Sequence, residues 1–348
     1  MNTTRSITIT ANEANQRIDR FVRKLLDDVS LSAIYKLLRT KQITLNGKKA
    51  RPEKRLEIDD VVTFKQAAKD RHLAPRVRKK AEGGLSKRRD FKIVFEDQHF
   101  VAVNKPAGLL VHAGDRGDNR DTLIDQVTGY LVDSPRPEAG PDLKNFVRPS
   151  PTFAPTLIHR LDRDTSGLVL VGKTLEATQK LTAMIKKRRI SKTYIACTIG
   201  GLPNREGTIN VPIQRQESAK GQRRKVKAGE GKRAVTHYKV LAQKGHFSVV
   251  EVDLETGRTH QIRAHMAHLG APIVGDDEYG KREQNKHAAK TFGIKRQFLH
   301  AARLQFQHPL EETELEITAP LWPDLSVGLE NIGFSDSDLP SWLKQEQA

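Results

Sequence analysis

The sequence predicts an α+β protein in two parts: a small N-terminal helix–helix–strand module and a larger domain on a large, mostly antiparallel (mixed) β-sheet. Three observations predict it. Apolar residues recur at helical spacing through residues 18–38, lysine and arginine crowd residues 66–90, and from Phe91 onward short β-rich runs alternate with glycine, proline and basic loops.

In NQRIDRFVRKLLDD, the residues Ile18, Phe21, Val22, Leu25 and Leu26 fall at i, i+3, i+4, i+7 and i+8, one apolar face of a helix. A second short helix follows. Ser30 and Ser32 are both candidate N-caps for it, Ile34, Leu37 and Leu38 repeat the pattern, and Lys36 and Arg39 project from another face. Ile43 and Leu45 then alternate with polar residues, and Asn46-Gly47 supplies a tight turn between short strands. This module, residues 14–66, presents Lys36, Arg39, Lys41, Lys48, Lys49 and Arg51 at exposed positions. Residues 66–90 hold nine Lys or Arg against three Asp or Glu. Such a stretch buries too little apolar surface to offset its ordering entropy, so 67–90 is expected to be a basic linker.

The larger domain is expected over 91–325. FKIVFED, HFVAVNKP, SGLVLVGK, KTYIACTIG and HFSVVEVDL supply its strands, and helical periodicity is clearest in EATQKLTAMIKKRR, with Leu181, Met184 and Ile185. Residues 134–155 are proline-rich enough for a loop or insertion. The segment 326–348, with one Lys against four Asp or Glu, is expected to be a peripheral acidic tail.

Composition narrows the function. A chain of 348 residues suits two domains, and 60 Lys and Arg against 42 Asp and Glu give a formal charge of +18, which favours a polyanionic partner. The single cysteine, Cys197, excludes an internal disulfide and any cysteine-rich zinc site, and its apolar setting YIACTI is that of a small core residue. The N-terminus lacks an apolar signal region and no run approaches a membrane span, so a soluble, cytoplasmic protein is expected.

One stretch, LIHRLDRDTSGLVLVGKT, makes two offers. Gly167 to Thr174 satisfies the pattern of a phosphate-cradling P-loop, but its intervening residues Leu168, Val169, Leu170 and Val171 are apolar β-formers that cannot wrap an anion. The match reads as accidental, with a nucleotide-hydrolysing enzyme kept as a competing class. If Gly167 to Val171 is a strand, Asp162 lies in the loop leading into it, where Arg160 and Arg163 favour a charged carboxylate suited to a nucleophile or electrostatic stabiliser. A second polar constellation follows the apolar run FSVVEVDL. Arg258, His260, Gln261 and Arg263 are costly to fold there without partners, and an arginine poised against Asp162 is their most economical use. His260, His265 and His268 do not reproduce a zinc-helix spacing, so no metal is expected.

HRLDRDTSG, VNKPAGLLVH, SKTYIA, LETGRTHQIRAH and FLHAARL, in that order, resemble the motifs of the RluA family of pseudouridine synthases, and together span nearly all of residues 91–320. At the N-terminus, the helix–helix–strand order and the Arg17, Asp19, Phe21, Val22 opening resemble an S4 RNA-binding domain, as the longer branch of that family carries. GDDEYGKRE followed by QFLHAARL is most similar to the RluC type, which modifies uridines of large-subunit (23S) ribosomal RNA.

The resemblance implies that Asp162 is the catalytic carboxylate and that Arg160 enters the vacated base stack. Tyr194 lies on the flipped uracil with Lys192 beside it, Arg263 pairs with Asp162, and Asn104 and Lys105 shape the site rim. It also implies a cofactor-free reaction, a monomer and a ribosomal RNA substrate, free or in a pre-ribosomal particle. Two roles for Asp162 stay open: attack on the sugar, or removal of a sugar proton to give a glycal-like intermediate. A non-catalytic ribosomal-RNA-binding module is the remaining alternative. It leaves the clusters around Asp162 and Arg263 without a purpose.

Overall fold

The computed structural model describes residues 4–10, 12–26, 29–65, 86–113, 121–133, 153–215, 226–229 and 231–343. The chain divides into two compact units, one of residues 1–88 with 125–156 and 173–176, the other of 89–124, 157–172 and 177–348.

In the first unit, strands β1 (Thr4–Thr8), β2 (Ile43–Leu45) and β3 (Val61–Lys65) form a sheet in the order β1-β3-β2, accompanied by helices α1 (Ile18–Leu25) and α2 (Leu31–Arg39). The apolar stripe read from the sequence is buried: Ile18, Phe21, Val22, Leu25, Leu26, Ile34 and Leu38 share one core with Ile43, Leu45 and Val62. Each such side chain, fully buried, stabilises by ~1.5–3 kcal/mol. Ser30 is the N-cap of α2, its hydroxyl accepting from the Ala33 amide at 3.3 Å, while Ser32 lies inside the first turn. Asn46 and Gly47, with φ of 50° and 73°, make the tight turn, and a Leu45–Lys48 backbone bond of 2.9 Å closes it. β1 pairs antiparallel with β3 through Thr4↔Lys65 and Thr8↔Val61, so this sheet draws on residues well before 14, where the sequence reading began the module.

The second unit is organised on a ten-stranded sheet in the order β4-β5-β7-β14-β8-β13-β12-β9, with β6 beside β7 and β15 beside β14. Its strands are β4 (Lys92–Glu96), β5 (Phe100–Lys105), β6 (Thr156–Leu157), β7 (Ser166–Gly172), β8 (Ser191–Ile199) and β9 (Glu206–Asn210). A short β10 (Ile213–Arg215) and β11 (Val226–Ala228) pair separately, followed by β12 (Val235–Lys244), β13 (Phe247–Leu254), β14 (Leu299–Gln307) and β15 (Glu314–Thr318). Helices α4 (Leu175–Lys186), α5 (Gln261–His268), α6 (Arg282–Thr291) and α7 (Pro323–Ile332) follow, while α3 (Leu123–Asp133) falls mostly in the first unit. The sheet is mixed but mostly antiparallel: β7 runs parallel to β14, whereas β5–β7, β8–β14, β8–β13 and β12–β13 are antiparallel.

Alternation explains one core directly. Phe100 and Ala102, Leu168 and Leu170, and Leu304 and Phe306 project from one face of β5, β7 and β14, and Leu181, Met184 and Ile185 of α4 pack on them. At the parallel junction Gly167 has φ of 113°, and a Cβ there would stand 2.2 Å from the Ala301 carbonyl oxygen. Only glycine permits that approach.

Several expectations are corrected. Gly167 to Gly172 is fully buried strand paired to β5, so no backbone is left to cradle phosphate and the P-loop reading fails. Residues 326–348 are not a peripheral tail throughout, because Leu329, Phe334 and Leu343 join Leu325 in the core beside β8 and β13. Of the acidic residues read from that segment, Glu330 and Asp336 are exposed and Asp338 is half-exposed. The helices α3, α5, α6 and α7 were also not anticipated. Most of the linker 67–90 and of the insertion 134–155 lies outside the described residues.

Candidate active site

Asp162 stands in the loop before β7, at the edge of a cavity of about 1440 Å³ whose walls include Arg160, Lys192, Tyr194, His260 and Arg263. Lys192 and Tyr194 are two apart on β8 and therefore face the same side of the sheet. Arg263 arrives from α5, whose N-cap His260 adopts a left-handed conformation, φ 53° and ψ 20°. The loop, β8 and α5 thus bring together residues spread over about a hundred positions of sequence.

Arg263 is the centre of the charge network. Its Nε and one terminal nitrogen donate to the two oxygens of Asp276 at 2.7 and 2.8 Å, and the other terminal nitrogen donates to Asp162 at 3.3 Å. Glu278 lies 3.3 Å from the same guanidinium. Burial opposes the charge of Arg263, but the Asp276 hydrogen bonds, with Asp162 and Glu278, outweigh it and raise its pKa. The expected Arg263–Asp162 pair is present, but it is the weaker contact. The fork geometry is given to Asp276, a partner fixed in turn by the Glu278 and Tyr279 amides at 2.9 and 3.1 Å.

His260 sits between two carboxylates, 3.7 Å from Asp162 and 3.4 Å from Glu278, with its other contact a 3.1 Å hydrogen bond to the Tyr279 hydroxyl. Tyr279 also lies beneath Arg263, 5.0 Å from guanidinium carbon to ring centre. Asp276, Glu278 and Tyr279 had no role assigned from sequence, although acids one glycine beyond the apolar run Ala271 to Val274 are a readable signal of a buried charge partner.

Tyr194 is 7 % exposed, and burial followed by the nearby Asp162 charge raises its phenol pKa, holding it protonated. Lys192 is partly buried, and that burial lowers its pKa. Arg160 is exposed on the cavity rim and has no ion-pair or hydrogen-bond partner among the described residues. Arg163, expected beside Asp162, turns instead to Asp164 at 3.0 Å.

Asn104 and Lys105 do not reach the cavity. Asn104 donates to the Pro320 carbonyl at 3.0 Å and accepts from the Trp322 indole at 2.7 Å. Lys105 is fully buried, its ammonium donating to the carbonyls of Pro106, Leu109 and Arg163 at 2.8, 3.0 and 2.9 Å, with burial pushing its pKa down to about 7. Lys105 ties the loop carrying Arg163, one residue from Asp162, to β5, and Asn104 ties β5 to the Pro320–Trp322 segment. Gln261 is likewise structural, its amide saturated by Val235, Thr236, Thr256 and Arg258. His265 gives one nitrogen to Thr236 and the other to the Val211 carbonyl, both at 2.9 Å, so it does not converge with His260 and His268 on a shared point. The exposed N-terminal cations Lys36, Arg39, Lys41, Lys48, Lys49 and Arg51 all face solvent.

A carboxylate, a buried tyrosine and an arginine thus share one cavity on a mixed sheet. The RNA pseudouridylate synthase family model matches residues 99–268. Among curated relatives, ribosomal large subunit pseudouridine synthase C of Vibrio cholerae is 34% identical over 93% of this chain and 95% of its own. The protein of the same name from Escherichia coli is 33% identical over 90% and 92%, and an uncharacterised RNA pseudouridine synthase of Bacillus subtilis is 32% identical over 94% and 97%. A human RNA pseudouridylate synthase domain-containing structure superposes with a TM-score of 0.52 at 25% identity, over 68% of this chain and 87% of that one. The protein is an RNA-modifying isomerase of the pseudouridine synthase class. The chain belongs to the RluA family.

Proposed function

We propose that this enzyme isomerises uridines of large-subunit ribosomal RNA to pseudouridine, with Asp162 as the catalytic carboxylate. The observation that carries the reading is Arg263, locked by Asp276 and directing its remaining nitrogen at Asp162 beside the Tyr194 ring. The names of the curated relatives support ribosomal RNA as the substrate class.

Pseudouridylation breaks the N1–C1′ bond, turns the uracil while it stays enclosed, joins C1′ to C5 and releases the C5 proton. Nothing is oxidised, so the protein's own groups suffice. The uridine enters by flipping, at a cost of a few kcal/mol that phosphate contacts help offset. Arg160, exposed and unpartnered among the described residues, fills the vacated stack. Tyr194 offers its face to the uracil, a contact worth roughly 1–3 kcal/mol. Arg263 stabilises the Asp162 charge through attack on C1′ or removal of a sugar proton. In the last step the Tyr194 oxygen takes the C5 proton as its own O–H proton passes to the free Asp162 carboxylate. Lys192 supports the negative charge that develops on the base.

The N-terminal unit with its exposed cations serves as the S4-like RNA-holding module. The enzyme acts as a cytoplasmic monomer. Among the described residues no helix is long and apolar enough to cross a membrane. Incubation with an unmodified 23S transcript, followed by carbodiimide labelling and primer extension, tests the assignment. New stops at discrete uridines are expected, and a transcript left unchanged both free and in pre-ribosomal particles would overturn the substrate.

A further inference from the structure

The catalytic cavity, about 1440 Å³, is larger than the ~300–1,000 Å³ of a small-molecule pocket. Space remains beyond one nucleotide, and its walls differ in charge. Lys186, Lys187, Arg188 and Arg189 line one stretch, whereas Glu312 and Glu314 line another.

The four cations form a built turn between α4 and β8. Arg188 has φ of 58°, and the amides of Lys187, Arg188 and Arg189 donate back to the carbonyls of Ala183, Ile185 and Met184 at 2.9, 3.2 and 2.9 Å. Ile190, 4 % exposed, anchors the end of the turn in the core. All four side chains are exposed. Arg188 is bonded to Glu255 at 2.7 Å, but Lys186, Lys187 and Arg189 have no ion-pair partner among the described residues. The dipole of α4 accounts for a cation in its last turn but falls off beyond it, so it does not explain the cations that follow. At about 3.3 Å per residue along an extended chain, Arg189 stands on the order of 10 Å from Lys192, which flanks Tyr194.

We infer that the turn Lys186–Arg189 is a phosphate track that seats the RNA backbone adjoining the target uridine along the α4 wall of the cavity. This rests on the reading of the chain as an RNA pseudouridine synthase. Arg188, held by Glu255, fixes the turn, while Lys187 and Arg189 are left to meet phosphate. The β14–β15 wall, with its glutamates, repels the same strand and sets the side on which the backbone runs.

The test compares four full-length proteins for binding to an unmodified 23S transcript across a salt series: wild type, Lys187→Gln with Arg189→Gln, Lys187→Arg with Arg189→Lys, and Lys290→Gln with Lys295→Gln, which removes two exposed cations outside the cavity. Each phosphate contact adds about 0.7–0.9 to the slope of log affinity against log salt. The turn variant is expected to lose about 1.4–1.8 of slope, two contacts' worth, the control much less, and Lys187→Arg with Arg189→Lys is expected to keep the wild-type slope. Equal losses in turn variant and control, or no loss in either, would overturn the track. Absence of pseudouridine formation by the wild type would instead remove the reading beneath it, so the two failures are told apart.

Discussion

Arg263 is bound more tightly to Asp276 than to Asp162: two hydrogen bonds of 2.7 and 2.8 Å against one of 3.3 Å. Asp276 thus sets where the guanidinium points, although it touches no substrate. Asp276→Ala leaves Arg263 with a buried, under-compensated charge, at a cost towards the lower end of ~3–5 kcal/mol because Asp162 and Glu278 remain close. Chemical denaturation is expected to show that loss, and turnover is expected to fall on the order of 100-fold through misplacement of Arg263. Wild-type turnover in this variant would mean that Arg263 needs no orientation.

The ring and the hydroxyl of Tyr194 have separable roles. Tyr194→Phe keeps the stacking face and is expected to retain RNA affinity while losing about 100-fold or more in turnover, the scale of a lost acid–base group. Tyr194→Ala is expected to lose the stacking as well, a further roughly 1–3 kcal/mol. Full turnover by the phenylalanine variant would exclude the phenol from proton transfer.

Stability carries a signature of Lys105. Burial lowers its pKa from 10.5 to about 7, so between those values the unfolded chain holds a proton that the folded chain has released. Its contribution therefore grows as pH rises through this window and is lost as pH falls through about 7. Lys105→Met removes the bonds to the Pro106 and Leu109 carbonyls and one of the two on the Arg163 carbonyl, which keeps the Gly108 amide at 2.9 Å, and is expected to be less stable than wild type by ~1–3 kcal/mol. The gap between the two proteins should widen from pH about 7 towards 10.5. A gap that narrowed over that range would contradict the assignment.

Gly167 holds the parallel junction on which the Asp162 loop depends. Gly167→Ala would force a left-handed φ of 113° on a side chain and press a Cβ to 2.2 Å from the Ala301 oxygen. Strain alone costs ~1–3 kcal/mol, and the clash adds to it. A denaturation midpoint equal to that of wild type would show that β7 and β14 part more easily than their packing implies.

Much of this was legible in the chain. The stripe Ile18 to Leu26 had to face a core, and Leu168 to Val171 were too apolar to be anything but buried strand. Asp162, Tyr194 and Arg263 carried recognisable motifs. What escaped was long-range geometry. The family resemblance placed Asn104 and Lys105 on the site rim, yet their hydrogen bonds are consumed by Pro320, Trp322 and loop carbonyls. Pattern alone does not tell a buried polar group from a catalytic one. Asp276 escaped for the opposite reason, since its partner lies thirteen residues earlier on a short helix that sequence periodicity did not reveal.

The most direct test of Asp162 is tritium release from 5-tritiated uridine in unmodified 23S RNA, comparing wild type with Asp162→Asn, alongside RNA binding by both. The account predicts release by the wild type, none by the variant, and nearly equal binding, because the exposed cations are unchanged. Release by Asp162→Asn at the wild-type rate, or a parallel collapse of binding and activity, would contradict it.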